Sequence, residues 1–248
     1  MLLIDIGNTR IKWAALSGDE IKPQQAVAHA QWTMAECERA FSSLAHPKRI
    51  LVSNVGGERV GNIVRDTARK LWALEPQFVQ SSVAACGITN AYPEPANLGV
   101  DRWLAMIGAH ALHREPLCVV GVGTAATIDG LDATGQHLGG LIIPGPDLMV
   151  DSLLRNTSEI ARRAQNGSID TGLFANNTLG AIRQGSAHAV AALVERAIES
   201  MQARVGVRPT LILTGGASAA VGQLVRAPHI VLPDLVLRGL TVLGRETA

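Results

Sequence analysis

A strand, a glycine turn and a second strand at the start of the chain constrain its fold more than any other feature. Residues 2–6 (LLIDI) are apolar except for Asp5, residues 11–16 (IKWAAL) are apolar except for Lys12, and Gly7-Asn8-Thr9-Arg10 joins them. Gly and Asn tolerate the backbone angles of a tight turn, so the pattern predicts a hairpin. P-loop and dinucleotide folds place their glycines between a strand and a helix. A returning strand argues against both. Asp5 is then the anomaly, because an unpaired carboxylate in an apolar strand is costly. Either the turn hydrogen-bonds it or a cation meets it.

The pattern restarts in mid-chain. "LIDIGNTRI" and "VVGVGTAAT" share an apolar run, a glycine and hydroxyl residues, with Asp5 opposite Gly121 and Gly7 opposite Gly123. "GVGTAA" (121–126) also matches a dinucleotide fingerprint, but the β-branched residues that follow predict a strand where that motif needs a helix. The first half reads as strands at 2–6, 11–16, 49–55 and 77–80, with helices at 33–45, 58–74 and from Asp101 to His113. Thr33 and Glu36 form a capping box for the first helix. The second half reads as strands over 116–132 and 137–145, helices at 147–155 and 177–203, a strand-glycine-helix unit at 210–225, a strand at 229–233 and a helix at 234–245. The expected organisation is two α/β lobes, 1–113 and 114–248, each presenting a glycine hairpin to a cleft, a usual place for a small-molecule site.

Composition narrows the class of partner. The 248 residues are 47% hydrophobic and 17% charged, with a net charge of +1, which fits a folded chain without a nucleic-acid surface. Cys37, Cys86 and Cys118 form no CxxC pair, and His110 and His113 read as ordinary surface or core histidines. No leader or membrane-length apolar run is visible, so a soluble cytoplasmic protein is expected.

Two glycine-hydroxyl hairpins suit a polyphosphate. Glycine lets backbone amides approach phosphate, Thr9 and Thr124 can donate hydroxyls, and Lys12 supplies a point charge. Asp5 can hold Mg²⁺ directly or through water, or it can simply bond the turn. Gly215-Gly216, between a strand and a helix, can seat a flat ring or serve only as a tight turn. In "AYPEPANLGVDRWLAMIGAH" (91–110), Asp101 and Arg102 start a helix. Asp101 suits an N-cap, and the pair equally suits a proton-accepting carboxylate beside an anion-binding guanidinium.

Taken together, DxGNT at Asp5–Thr9, "LGVDR" at 98–102 and "GTAATID" with "GGLIIPG" resemble type III pantothenate kinases. The resemblance implies a duplicated, two-lobed actin-like ATPase (ribonuclease H-like) fold with a cleft between lobes. It also implies transfer of the ATP γ-phosphate to pantothenate. On that resemblance Asp5, Ile6, Gly7, Asn8, Thr9, Arg10, Ile11 and Lys12 form the first phosphate motif. Thr124 touches ATP from the second hairpin, and Gly215-Gly216 back the adenine. Tyr92, Gly99, Val100, Asp101 and Arg102 line the pantothenate pocket, with Asp101 as the base. Thr178 reaches pantothenate from the partner subunit of a homodimer. ATP and Mg²⁺ are the implied cofactors. The family's monovalent-cation aspartate is replaced here by Gly121, which leaves a K⁺ or NH₄⁺ requirement open, and Asp129 is spaced wrongly to substitute directly. The rival expectation is a non-catalytic relative that binds ATP or pantothenate without turnover.

Overall fold

The computed structural model describes residues 1–164 and 172–247. In chain order these contain β1 (Leu2–Ile6), β2 (Arg10–Ser17), β3 (Glu20–Ile21), β4 (Gln25–Ala28), α1 (Met34–Phe41), β5 (Ile50–Asn54), α2 (Glu58–Trp72), β6 (Gln77–Phe78), β7 (Ala84–Ala85), β8 (Ile88–Thr89) and α3 (Val100–Leu112). Then come β9 (Leu117–Val122), β10 (Ala125–Leu131), β11 (His137–Pro144), α4 (Pro146–Asn156), α5 (Ser158–Ala164), α6 (Thr178–Val205), β12 (Thr210–Thr214), α7 (Ser218–Gly222), β13 (His229–Val231) and α8 (Leu235–Glu246). They fall into two compact units: Met1–Arg114 with Thr134–His137 and Asp234–Ala248, and Glu115–Ala133 with Leu138–Pro233.

In the first unit the sheet runs β3-β2-β1-β5-β6, with β4 also on β2. Strand β1 is antiparallel to β2 and parallel to β5. Every residue of β1 is buried, which is how a central strand covered on both faces should read. Alternation sends Leu2, Ile4 and Ile6 into a core with α1 and α2, where Trp13, Trp32, Phe41 and Trp72 pack ring on ring. Leu3 and Asp5 point to the opposite face, where α8 lies on β1 and α3 on β5. The Thr33/Glu36 capping box forms as expected, but α1 stops at Phe41 rather than 45, with Ser42 as its C-cap.

The second unit repeats the order: β11-β10-β9-β12-β13, with β9 antiparallel to β10 and parallel to β12. Its core lies between the sheet and helices α6 and α7. The segment after "GVGT" is strand β10, so the dinucleotide reading fails for the reason its β-branched residues gave.

The division expected at 113/114 falls one residue from the break at Arg114, but 234–248 do not stay with the C-terminal half. Helix α8 packs along α3 because both carry glycines at the crossing. A Cβ on Gly239 would overlap the Leu104 backbone, and one on Gly108 would sit 2.6 Å from the Leu235 carbonyl oxygen. The two backbones come too close for any other residue.

Candidate active site

The first hairpin closes as a tight loop in which the Gly7 amide donates to the Arg10 carbonyl at 3.0 Å, leaving Asn8, Thr9 and Arg10 exposed at its tip. Register places Asp5 directly across from Lys12 on β2 and from Ser53 on β5. The carboxylate is 6% exposed, and its Oδ1 is buried with no hydrogen-bond partner among the described residues; neither has Ser53 Oγ. Burial pushes the Asp5 carboxyl up to about 6. The Lys12 charge opposes that rise, the Asp101 charge adds to it, and the nearby Ser53 hydroxyl opposes it more weakly. Asp5 and Asp101, 96 positions apart in sequence, therefore share one electrostatic site with Lys12. The turn-bonding alternative for Asp5 finds no support at Oδ1. An orphaned oxygen on a buried carboxylate, one residue from a glycine turn whose tip is exposed, fits a hard cation.

Gly99 is the N-cap of α3 and Asp101 its second helical residue, so Asp101 is not the cap. Its Oδ1 accepts the Arg102 amide at 2.9 Å, which orients the carboxylate at the helix start. Arg102 is buried; its Nη1 donates to the Tyr92 hydroxyl at 3.1 Å and its guanidinium lies 5.8 Å from the Tyr92 ring centre. Tyr92 stacks at 6.0 Å on His137, whose Nδ1 accepts the Ala91 amide at 3.4 Å. Asn90 Oδ1 takes the Tyr92 amide at 3.0 Å. The loop 90–92 and the start of α3 thus form one polar cluster around a buried guanidinium. His137 escaped the sequence reading because nothing near it in the chain marks it. Ser53 did leave a signal, as a hydroxyl inside the apolar strand "RILVSNV".

In the second unit the Gly123 amide donates to the Ala125 carbonyl at 2.9 Å, and Thr124 is exposed at the tip. Gly121 faces Thr127 and Thr214, the positions that match Lys12 and Ser53. A Cβ on Gly121 would lie 2.9 Å from Thr127 Oγ1. Asp129 is buried on the same face as Gly121 but pairs with Val119, two positions away, about 7 Å along the strand. The two glycines at 215–216 differ. Gly215 has φ +97° and a Cβ there would strike the Val122 carbonyl, so its place is set by backbone packing. Gly216 is exposed with open space at its Cβ position. Thr178 opens α6, capped by Asn177, whose Oδ1 accepts the Gly180 amide at 2.8 Å.

The arrangement defines a class first. The chain aligns over 99% of its length with the activator of 2-hydroxyisocaproyl-CoA dehydratase from Clostridium difficile, solved with bound ADPNP, at TM-score 0.53 and 15% identity, covering 95% of that chain. It aligns over its whole length with a Campylobacter jejuni protein described as a Baf family transcriptional activator, at TM-score 0.60 and 22% identity, covering 98% of it. The fold is that of the actin-like ATPases and sugar kinases, two lobes of mixed α/β sheet. The sequence model of the family described as type III pantothenate kinase matches residues 1–200. A type III pantothenate kinase from Aromatoleum aromaticum is 38% identical over 100% of this chain and 99% of its own. The chain belongs to the type III pantothenate kinase family, a family of ATP-using phosphotransferases. No helix among the described residues is long and apolar enough to cross a membrane.

Proposed function

We propose that this protein transfers the γ-phosphoryl group of ATP to the primary hydroxyl of pantothenate, yielding 4′-phosphopantothenate, the first step of coenzyme A synthesis. The observation that carries the reading is the convergence of Asp5, Lys12 and Asp101 in one electrostatic site, with an oxygen of Asp5 left unpartnered. A relative that only bound ATP would use Asp5 in the same way, so it is the match to a family of kinases that leaves the non-catalytic alternative without support.

Phosphoryl transfer needs positioning and charge neutralisation more than covalent chemistry. Asp5 holds Mg²⁺, directly or through water; when bound, the ion offsets phosphate charge. Gly7, Asn8 and Thr9 present amides and a hydroxyl to the phosphates, with Ile6, Arg10 and Ile11 as the hairpin's frame and Lys12 as its cation. Thr124, Gly215 and Gly216 are the nucleotide contacts assigned to the second unit. Arg102, braced by Tyr92, binds the anionic end of pantothenate, and Gly99 and Val100 shape its pocket. Asp101 orients the attacking hydroxyl and takes its proton. Thr178 is assigned to pantothenate bound by the partner subunit of a homodimer, and the site of action is the cytoplasm.

The test is product mass from ATP, Mg²⁺ and pantothenate with wild type and Asp101→Asn. The variant should fold and bind ATP yet lose about 10²–10⁴ in rate, the usual scale for a positioned base. A folded wild-type protein that binds ATP and makes no 4′-phosphopantothenate would overturn the reading.

A further inference from the structure

We infer that His29 is a positioning residue for the nucleotide: it holds the first hairpin's turn so that the Asn8 amide faces the phosphates. The inference rests on the reading that ATP phosphates meet this hairpin. His29 sits just past β4 and is 4% exposed. Its Nε2 lies 2.6 Å from the Gly7 carbonyl oxygen, and its backbone amide donates to the Thr9 carbonyl at 3.1 Å. A carbonyl only accepts, so Nε2 carries the proton and donates. Nδ1 is then a buried acceptor, and it has no partner among the described residues. The ring is therefore placed for its Nε2 bond alone.

A trans peptide is planar, with its C=O and N–H pointing to opposite sides. Gly7 C=O and Asn8 N–H belong to one such plane. Pulling the Gly7 oxygen onto His29 turns the Asn8 N–H the other way, out of the protein. The Gly7 oxygen has little other freedom, because Gly56 presses on it so closely that a Cβ there would overlap. His29 is held in its turn: Arg59 on α2 donates from Nη2 to the His29 carbonyl at 2.9 Å and from Nη1 to the Trp32 carbonyl at 2.9 Å. The chain of contacts runs from α2 through Arg59 and His29 to the hairpin tip, all within the first unit.

Two variants separate positioning from mere stability. His29→Gln keeps a side-chain N–H of similar reach, whereas His29→Leu fills the space without a donor. With Leu, KM for ATP should rise about tenfold, the cost of one charge-assisted contact to phosphate. KM for pantothenate should stay within about twofold, since it is read at the other cluster. Gln should recover most of the loss. Hydrogen exchange of the Asn8 amide in ligand-free protein should quicken or slow with Leu and return with Gln, which reads turn geometry whether or not the enzyme phosphorylates pantothenate. An unchanged KM for ATP in Leu, equal losses for both substrates, or failure of Gln to rescue would each overturn the inference. A wild-type protein without turnover would fail the functional reading instead, and the exchange result would still judge the role of His29 in the turn.

Discussion

The two hairpins of this molecule are built alike and equipped differently. In each, a central strand is antiparallel to the returning strand and parallel to the next one, and a glycine amide closes the turn onto a carbonyl two or three residues on. In each, a glycine after the parallel strand, Gly56 or Gly215, presses on the hairpin backbone. The ladder positions then diverge. The first hairpin holds Asp5 between Lys12 and Ser53, and the second holds Gly121 between Thr127 and Thr214. Duplicated backbone does not require duplicated charge. A carboxylate is kept at that ladder position only where a cation or proton meets it; the first copy keeps Asp5 there, whereas the second carries its buried carboxylate, Asp129, two positions along on the returning strand.

The sharpest way to break that comparison is Asp5→Asn. It should cost on the order of 10²–10³ in kcat, as expected when a group aligned with developing phosphate charge is lost. The same change should stabilise the metal-free protein at pH 8. The folded carboxyl titrates near 6 against an ordinary 3.8, so between those values the folded state binds more protons and stability falls as pH rises. That deficit, fully present above about pH 6, is of the order of 3 kcal/mol by the size of the shift. Denaturant melts of wild type should weaken from pH 4 to 7, and the Asn variant should lack this component. A wild type whose stability is flat across that range would contradict the buried, ionisable Asp5.

A second pair of variants tests the shared scaffold. Gly215→Ala should destabilise by about 2–4 kcal/mol, because it meets both a left-handed φ and the Val122 carbonyl. Gly56→Ala should do comparable harm through the Gly7 carbonyl, and it should also raise KM for ATP. Thermal melts with ATP titrations distinguish the two.

Gly121→Asp asks whether the second copy can be charged like the first. The new Cβ crowds Thr127 Oγ1, so a loss of about 1–3 kcal/mol is expected, with part recovered when Thr127→Ala is added. Wild-type turnover should be equal in sodium and potassium buffers, with a potassium preference appearing only in the Asp variant; a potassium-dependent wild type would show that another group does the work. The smallest effects belong to the tips. Thr9→Ala and Thr124→Ala should each raise KM for ATP by about two- to tenfold, the worth of one hydrogen bond, with folding unaltered.

Local chemistry makes much of this legible in the sequence. The hairpin turn at Gly7–Arg10, the capping box at Thr33 and Glu36 and the strand after "GVGT" all follow from backbone preferences within a few residues of one another. They need no partner from elsewhere, so a sequence states them fully. The two-residue strands β3, β7 and β8 leave no mark in the sequence, and β6 is shorter than the expected 77–80, because so short a segment has no periodicity of its own and exists only through its neighbour's hydrogen bonds.

The family motifs likewise named Asp5, Lys12, Asp101 and Arg102, but not what surrounds them. That α8 returns to the first unit depends on two glycines meeting across helices. That Asp5 feels Asp101, that Ser53 stands beside it, and that Arg102 is braced by Tyr92 on His137 are matters of which faces pack together. Burial, charge coupling and close backbone approach act through space over a few ångströms. Sequence separation carries no record of them, and only the tertiary structure brings those groups within range.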